Sequence, residues 1–320
     1  MHNNNPDGLD SSGDIDGILN EVIKSLSKDQ KELPCKLFYN DKGSELFEEI
    51  SELDEYYLTR TEISILNDNI EEISEYIGKD VIVVELGSGS SRKIRILLDN
   101  LKNIVAYVPV DISKNFLIES AERLAREYND LRIIPLVADY TRPFTFPEID
   151  LDFNRMVLYY PGSTIGNFDP DKAVKFLKNL SKHFGKKSGL LIGFDLKKDS
   201  SIIERAYNDG QGVTASFNLN ILNNINNTLG ADFDLDKWKH KAFYNKDKGR
   251  IEMHLMSLED QEVRLNGTNI NFRKNETIHT ENSYKFSVEE FEGLVGNFYS
   301  LKNYWTDSSE NFAVCFFETK

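Results

Sequence analysis

Cysteine is scarce, with only Cys35 and Cys315 in 320 residues. They lie far apart beside apolar neighbours, so neither a disulfide framework nor a cysteine metal site has support, and both read as small core hydrophobes. Long apolar runs are missing too. No stretch approaches the ~18 residues of a membrane span, and the polar N-terminus carries no secretory signal; the expectation is a cytoplasmic protein with no membrane partner. Positive charge is outnumbered, 38 Lys and Arg against 53 Asp and Glu, for a formal net charge of −15. Nucleic-acid binding rests on clustered cations that neutralise phosphates, so such a partner is excluded and small or cationic ligands are favoured. What remains, 40% apolar and 28% charged residues with abundant Phe and Tyr, is an ordinary globular composition long enough for one large or two modest domains.

The chain is organised around VIVVELGSGSSRK, residues 81–93. A β-branched run reads as a buried strand, followed by an acidic residue, a glycine-rich turn and the helical spacing of Ile94, Leu97 and Leu98. Gly87 and Gly89 let the backbone turn tightly and approach a ligand, while the helix start behind them aims amides into the same space. A dinucleotide fingerprint wants a third glycine, but Arg92 stands there, which lowers the NAD and FAD readings. Glu85 before the turn and Asp111 after the next strand, 105–110, suit a ligand with hydroxyls and a cationic centre, such as S-adenosylmethionine (SAM). A tight turn without a ligand is the alternative at this point.

Further strands are expected at 132–137, 155–160 and 189–194, alternating with helices, which implies a parallel doubly wound sheet. Each strand ends in a polar or glycine-rich cluster: Gly87 and Gly89, Asp111, Asp139, Asn167, Asp195. Ligands sit beyond these ends in such sheets. Helix capping explains one such residue well and five poorly, although Ser113 is expected as an N-cap. Residues 1–13 read as disordered, 15–26 and 61–77 as helices, and 197–286 as an insertion too long for a loop. Within the insertion a helix at 219–229 and strands at 250–257 and 261–272 are expected. A helix at 287–298 and strands at 301–305 and 311–317 close the chain; a hairpin slotted into a parallel sheet is the pattern of a SAM-dependent methyltransferase.

With these pieces assembled, the chain resembles the histidine Nα-methyltransferases of the ergothioneine pathway from about residue 30 to the end. The resemblance is carried by LFYNDKGSELFEEI, EYYLTRTE, VVELGSGSSRKI, GSTIGNF, AYNDGQGVTASFN, RIEMHLMS and IHTENSYKF. It implies an α/β class I SAM-dependent methyltransferase, a doubly wound seven-stranded sheet (61–196 with 287–320), joined to a second α+β substrate-binding domain (1–60 with 197–286). It assigns SAM contacts to Tyr39, Gly87, Lys93, Asp111 and Asp139, with Tyr140 beside the adenine. It places Asn167, Tyr56 and Tyr207 at the amino and carboxylate end of the substrate L-histidine, where they serve catalysis, and Met253, Glu281 and Ser283 at the imidazole. Asp111 can accept both ribose hydroxyls and Asp139 the adenine amino group, while Glu281 and Ser283 can read both edges of an imidazole. From sequence alone Glu281 also reads as a solvated strand residue, and Tyr39, Tyr56 and Tyr57 as half-buried packing.

The resemblance further implies three successive methyl transfers to hercynine; no metal is expected, and a monomer is expected because nothing in the sequence suggests an obligate interface. Ser90 and Ser91 stand where the family pattern has Thr-Ser, and His254 follows Met253 where another polar residue is expected. Methylation of another amino acid, such as a tryptophan derivative, and a SAM- or amino-acid-binding module without turnover are the competing readings.

Overall fold

The computed structural model describes residues 11–89, 91–141, 146–147 and 149–320, so the part of the expected disorder at 1–10 and the substitution at Ser90 lie outside the described residues. In chain order the elements are α1 Ser11–Leu26, β1 Lys31–Glu32, α2 Asp41–Glu52, α3 Tyr57–Ile77, β2 Val81–Leu86, α4 Arg92–Asn100, β3 Ile104–Asp111, α5 Lys114–Glu127, β4 Arg132–Ile133, β5 Leu136–Val137 and β6 Arg155–Tyr160. There follow α6 Pro170–Phe184, β7 Gly189–Asp195, α7 Ser200–Ala206, α8 Val213–Leu229, β8 Trp238–Asn245, β9 Arg250–Ser257, β10 Gln261–Leu265, β11 Thr268–Phe272, β12 Thr277–Tyr284, α9 Val288–Val295, β13 Tyr299–Thr306 and β14 Phe312–Thr319.

Two compact units form. The smaller holds the chain through Phe38 with Ala215–Lys241 and Met253–Glu281; the larger holds Tyr39–Thr214, Ala242–Glu252 and Asn282–Lys320. Residues 39–60, 197–214, 242–252 and 282–286, which the sequence reading groups with the substrate domain, therefore pack with the large sheet. The reason is local: α2 packs on α3 and α5, and residues 282–286 return beside β7, where the Phe286 amide donates to the Asp195 carbonyl at 3.3 Å.

The large unit is built on an eight-stranded sheet ordered β13-β14-β7-β6-β2-β3-β4, with β5 also on β3. From β7 to β5 the strands are parallel, and β14 runs antiparallel between β7 and β13. Continuous apolar runs explain this. VIVVEL in β2 is buried throughout, as is Phe312–Phe317 of β14, the signature of strands covered on both faces. The sheet has eight strands where seven are expected because Pro135, which has no N–H, splits the expected 132–137 strand into β4 and β5 at the sheet edge.

In the small unit, β10 and β11 form a hairpin where one strand over 261–272 is expected. Asn266 and Gly267 make its turn with φ of 44° and 84°, the two-residue loop that Asn-Gly favours. β8, which does not alternate cleanly, and β12, of which the sequence reading has only Glu281 as a strand residue, join β1 and β9 in a sheet ordered β1-β12-β9-β8. α8 opens at Val213, six residues ahead of the expected 219, because the Asp209 carboxylate accepts the Val213 and Thr214 amides at 2.9 and 2.8 Å. α1 and α3 likewise begin at Ser11 and Tyr57, ahead of the periodic apolar positions, since apolar spacing marks only the turns that pack. The α1 start corrects the disorder expected at 11–13. Cys315 is fully buried and burial pushes its thiol pKa up, as suits a core residue, whereas Cys35 is only partly buried.

The sheet core predicts a specific loss. Phe316 is fully buried, its ring stacks at a tilt on Tyr76 with centroids 5.9 Å apart, and a Cβ on Gly189 would come within 2.9 Å of it. Phe316→Ala should lower the unfolding free energy by about 3–5 kcal/mol in urea denaturation.

Candidate active site

The C-terminal ends of β2, β3, β5, β6 and β7 lie side by side in the large unit, which brings the five clusters read from sequence to one edge of the sheet. The turn after β2 holds Gly87 and Gly89 at φ of 71° and 42°, a region that disfavours residues with a Cβ. The Gly87 amide donates to the Val110 carbonyl at 2.8 Å, and a Cβ added to Gly87 would sit 3.3 Å from the Tyr140 hydroxyl. The missing side chain thus lets Tyr140 lie against the turn. Asp111 accepts the Ser113 amide at 2.9 Å; burial raises its pKa, while the Ser113 and Gly89 amides pull it back down. Ser113 occupies the N-cap position of α5, but its hydroxyl does not cap the helix. It donates instead to the Tyr39 carbonyl at 2.9 Å, which ties Tyr39 to the same edge. Asp139 accepts the Thr141 amide at 3.1 Å. A set of acceptors, an aromatic ring and a Cβ-free turn suits a ribose, an adenine and a close backbone contact.

Two carboxylates lie beneath this edge. Glu85 is 2% exposed, accepts the Tyr107 hydroxyl, and is pushed by burial up to about 8. Glu62, which the sequence reading missed, is fully buried on α3. Its Oε2 accepts Lys93 Nζ at 2.5 Å and the Gly162 amide at 2.9 Å, while among the described residues its Oε1 has no hydrogen-bond partner. A Cβ on Gly193 would run into the Glu62 carboxyl, so that glycine is required by close approach. Lys93 is therefore held by Glu62, with further N–H groups left for a second acceptor.

The tyrosines form a chain of edge-to-face contacts. Ring centroids of Tyr39 and Phe47 are 6.1 Å apart, Phe47 and Tyr56 6.2 Å, and Tyr56 and Tyr207 6.2 Å, all within the large unit. The Tyr207 hydroxyl donates to Ser283 Oγ at 2.8 Å. Asn167 ends the 3₁₀ turn Thr164–Asn167 and is half-buried, and its neighbour Gly166 is pressed on the Tyr284 backbone, where a Cβ would lie 2.7 Å from the carbonyl. Tyr39, Tyr56, Tyr207, Asn167 and Ser283 are thus gathered in one unit. Met253 and Glu281 belong to the small unit, where the Met253 carbonyl accepts the Thr280 hydroxyl at 3.1 Å and the Glu281 carbonyl lies 3.0 Å from His279 Nε2.

Beside Ser283 lies a buried ionic network that sequence reasoning recognised only at Asp195. Asp195 Oδ2 pairs with Lys285 Nζ at 2.8 Å, and Asp195 Oδ1 accepts the Tyr57 hydroxyl at 2.8 Å and Lys198 Nζ at 2.5 Å. Lys285 also donates to Ser283 Oγ at 2.9 Å and to the Tyr207 hydroxyl at 3.3 Å. Burial pushes the Lys198 pKa down to about 8 and the Tyr57 pKa well up, so Tyr57 stays a neutral donor. A lysine between Tyr284 and Phe286, or a tyrosine next to another, offers no periodic signal; only the fold assembles them.

The sheet order, the glycine turn and the acceptors along its edge define a class I SAM-dependent methyltransferase. The family model described as "Histidine-specific methyltransferase, SAM-dependent" matches residues 18–319, and the chain belongs to that family. It is 36% identical over 306 residues to the histidine N-alpha-methyltransferase of Mycolicibacterium smegmatis, covering 93% of this chain and 94% of that one. Identity to the histidine N-alpha-methyltransferase of Mycobacterium tuberculosis is 38% over 301 residues, 92% of each chain. Ergothioneine biosynthesis protein 1 of Neurospora crassa is 32% identical over 82% of this chain, which spans 30% of that longer protein.

The buried carboxyl of Glu85 sets a pH signature. Its folded pKa, about 8, lies above the ordinary 4.5, so the fold holds a proton that the unfolded chain has released. That contribution to stability is complete below about 4.5 and is lost as pH rises through about 8. Glu85→Gln should flatten the decline in Tm between pH 5 and pH 8.5, measured by calorimetry at both ends.

Proposed function

We propose that the protein transfers methyl groups from SAM to the α-amine of L-histidine, three in succession, giving the betaine hercynine. The observation that carries this reading is the gathering of Tyr56, Tyr207, Asn167 and Ser283 in the same unit as the glycine-rich turn, in a chain that is more than a third identical along nearly its whole length to two histidine N-alpha-methyltransferases. SAM supplies a methyl group activated by a sulfonium. Asp111 would hold the ribose hydroxyls, Asp139 the adenine amino group, Tyr140 the adenine face, and Lys93, steadied by Glu62, the methionyl carboxylate. Tyr39 and the Gly87 backbone complete that side.

On the substrate side, Tyr56, Asn167 and Tyr207 would hold the amino and carboxylate end. Ser283 and Glu281, two residues apart on β12 and hence on one face of that strand, would take the imidazole, with Met253 packed on the ring. In each transfer the neutral amine nitrogen attacks the methyl carbon, the C–N bond forms as the C–S bond breaks, and S-adenosylhomocysteine leaves. The proton lost by the ammonium passes to water through a tyrosine hydroxyl, since the side chains assigned to the amine end are two tyrosines and an asparagine. Positioning does most of the work, and a near-attack geometry contributes about 7–11 kcal/mol. By sequence segment, most of the substrate-binding role falls to 1–60 with 197–286 and most of the SAM-binding role to 61–196 with 287–320, with Tyr39 and Asn167 each serving the other segment's ligand.

The test is mass spectrometry of the purified protein incubated with SAM and a mixture of the twenty amino acids and tryptophan derivatives. Histidine should gain one, two and then three methyl groups; preferential methylation of a tryptophan derivative, or no turnover at all, contradicts the reading. Glu281→Ala should raise the KM for histidine about tenfold or more, the cost of an unsatisfied polar group, and leave SAM affinity within about twofold.

A further inference from the structure

Lys285 is 1% exposed, and its ammonium makes three polar contacts: Asp195 Oδ2 at 2.8 Å, Ser283 Oγ at 2.9 Å and the Tyr207 hydroxyl at 3.3 Å. An ammonium has three donors and no acceptor, so each of these oxygens must accept from it. Ser283 Oγ accepts a second bond from the Tyr207 hydroxyl at 2.8 Å. A hydroxyl has two lone pairs and one proton, and both of its lone pairs are now taken. Ser283 can then meet a ligand only as a donor.

We propose that Lys285, locked by Asp195, is a positioning residue that fixes Ser283 as a hydrogen-bond donor, so that the site takes the imidazole of its substrate in the neutral form, through the unprotonated ring nitrogen, and excludes the imidazolium. This rests on histidine being the substrate. An imidazolium carries an N–H at both ring nitrogens and offers Ser283 nothing to donate to. The charge balance acts in the same direction: the network has one carboxylate, Asp195, against two ammonium groups, Lys285 and Lys198, with Tyr57 held as a neutral phenol by burial. Glu281, two residues earlier on β12, opposes this by attracting a cation, but it accepts an N–H from the neutral ring equally well. The network thereby sets which protonation state of a ring that titrates near neutrality is bound.

The experiment uses the full chain with S-adenosylhomocysteine and histidine labelled with ¹⁵N in the ring, followed by NMR from pH 5 to pH 8. Bound histidine should keep one pyridine-type nitrogen down to about pH 5.5, at least about one unit below the ordinary imidazole value near 6.5. In Lys285→Met, which lets the Ser283 hydroxyl rotate, the bound ring should titrate about one unit or more higher than in the unchanged protein. Two protonated ring nitrogens at pH 7 in the unchanged protein, or an unaltered titration in a folded Lys285→Met, would overturn the inference. Should that variant fail to fold, the titration of the unchanged protein decides alone. Histidine bound as the imidazolium defeats this inference and leaves the substrate reading standing, whereas no histidine binding at all defeats both.

Discussion

Asp195 is the constraint on which the site depends. It ends a strand buried on every side, and its carboxylate, fully removed from water, is met by two lysines and a tyrosine drawn from three different parts of the chain. A buried charge without partners is strongly destabilising, and removing one partner of such a pair costs about 3–5 kcal/mol. The fold must therefore bring residues 57, 198 and 285 to the end of β7. In doing so it places Tyr207 and Ser283 within hydrogen-bond reach of the same lysine.

Polar burial recurs along the sheet edge. Glu62 ties Lys93 on α4 to the turn at Gly162, and Glu85 takes the Tyr107 hydroxyl below the glycine turn. Well-packed apolar groups of similar volume often give equal or greater stability than buried ions, so these groups are poorly explained by stability alone. They sit at the strand ends, beside the side chains proposed above to hold SAM and the amine. A site that asks its residues mainly for position needs side chains whose rotamers are locked by their neighbours.

Much of the fold was legible in sequence because the large sheet is parallel and buried. Strands covered on both faces must be apolar runs, and the helices between them show their packed stripe, so β2, β3, β6, β7 and β14 fell close to their expected places. Legibility failed where one residue changes the geometry. Pro135 cuts a strand at the edge, Asn266-Gly267 folds an expected strand into a hairpin, and the Asp209 carboxylate starts α8 ahead of its periodic stretch. Ser113 stood where a cap was expected and spent its hydroxyl on Tyr39, a partner 74 positions away.

The sequence by itself determined the methyltransferase-type sheet, its glycine turn, and the polar residue at each strand end, because these follow from local periodicity and from residue types that a turn requires. The resemblance carried by its longer motifs pointed to tyrosines, an asparagine and a serine without saying what orients them. Only the tertiary structure decided that Lys285, Lys198 and Tyr57 converge on Asp195, and that Glu62 holds Lys93. Lys198 lies three positions from Asp195, but the other pairings join distant residues, from 31 positions for Glu62 with Lys93 to 138 for Tyr57 with Asp195. Their physical cause is desolvation, which acts only once the core has closed and which no local pattern of residues can announce.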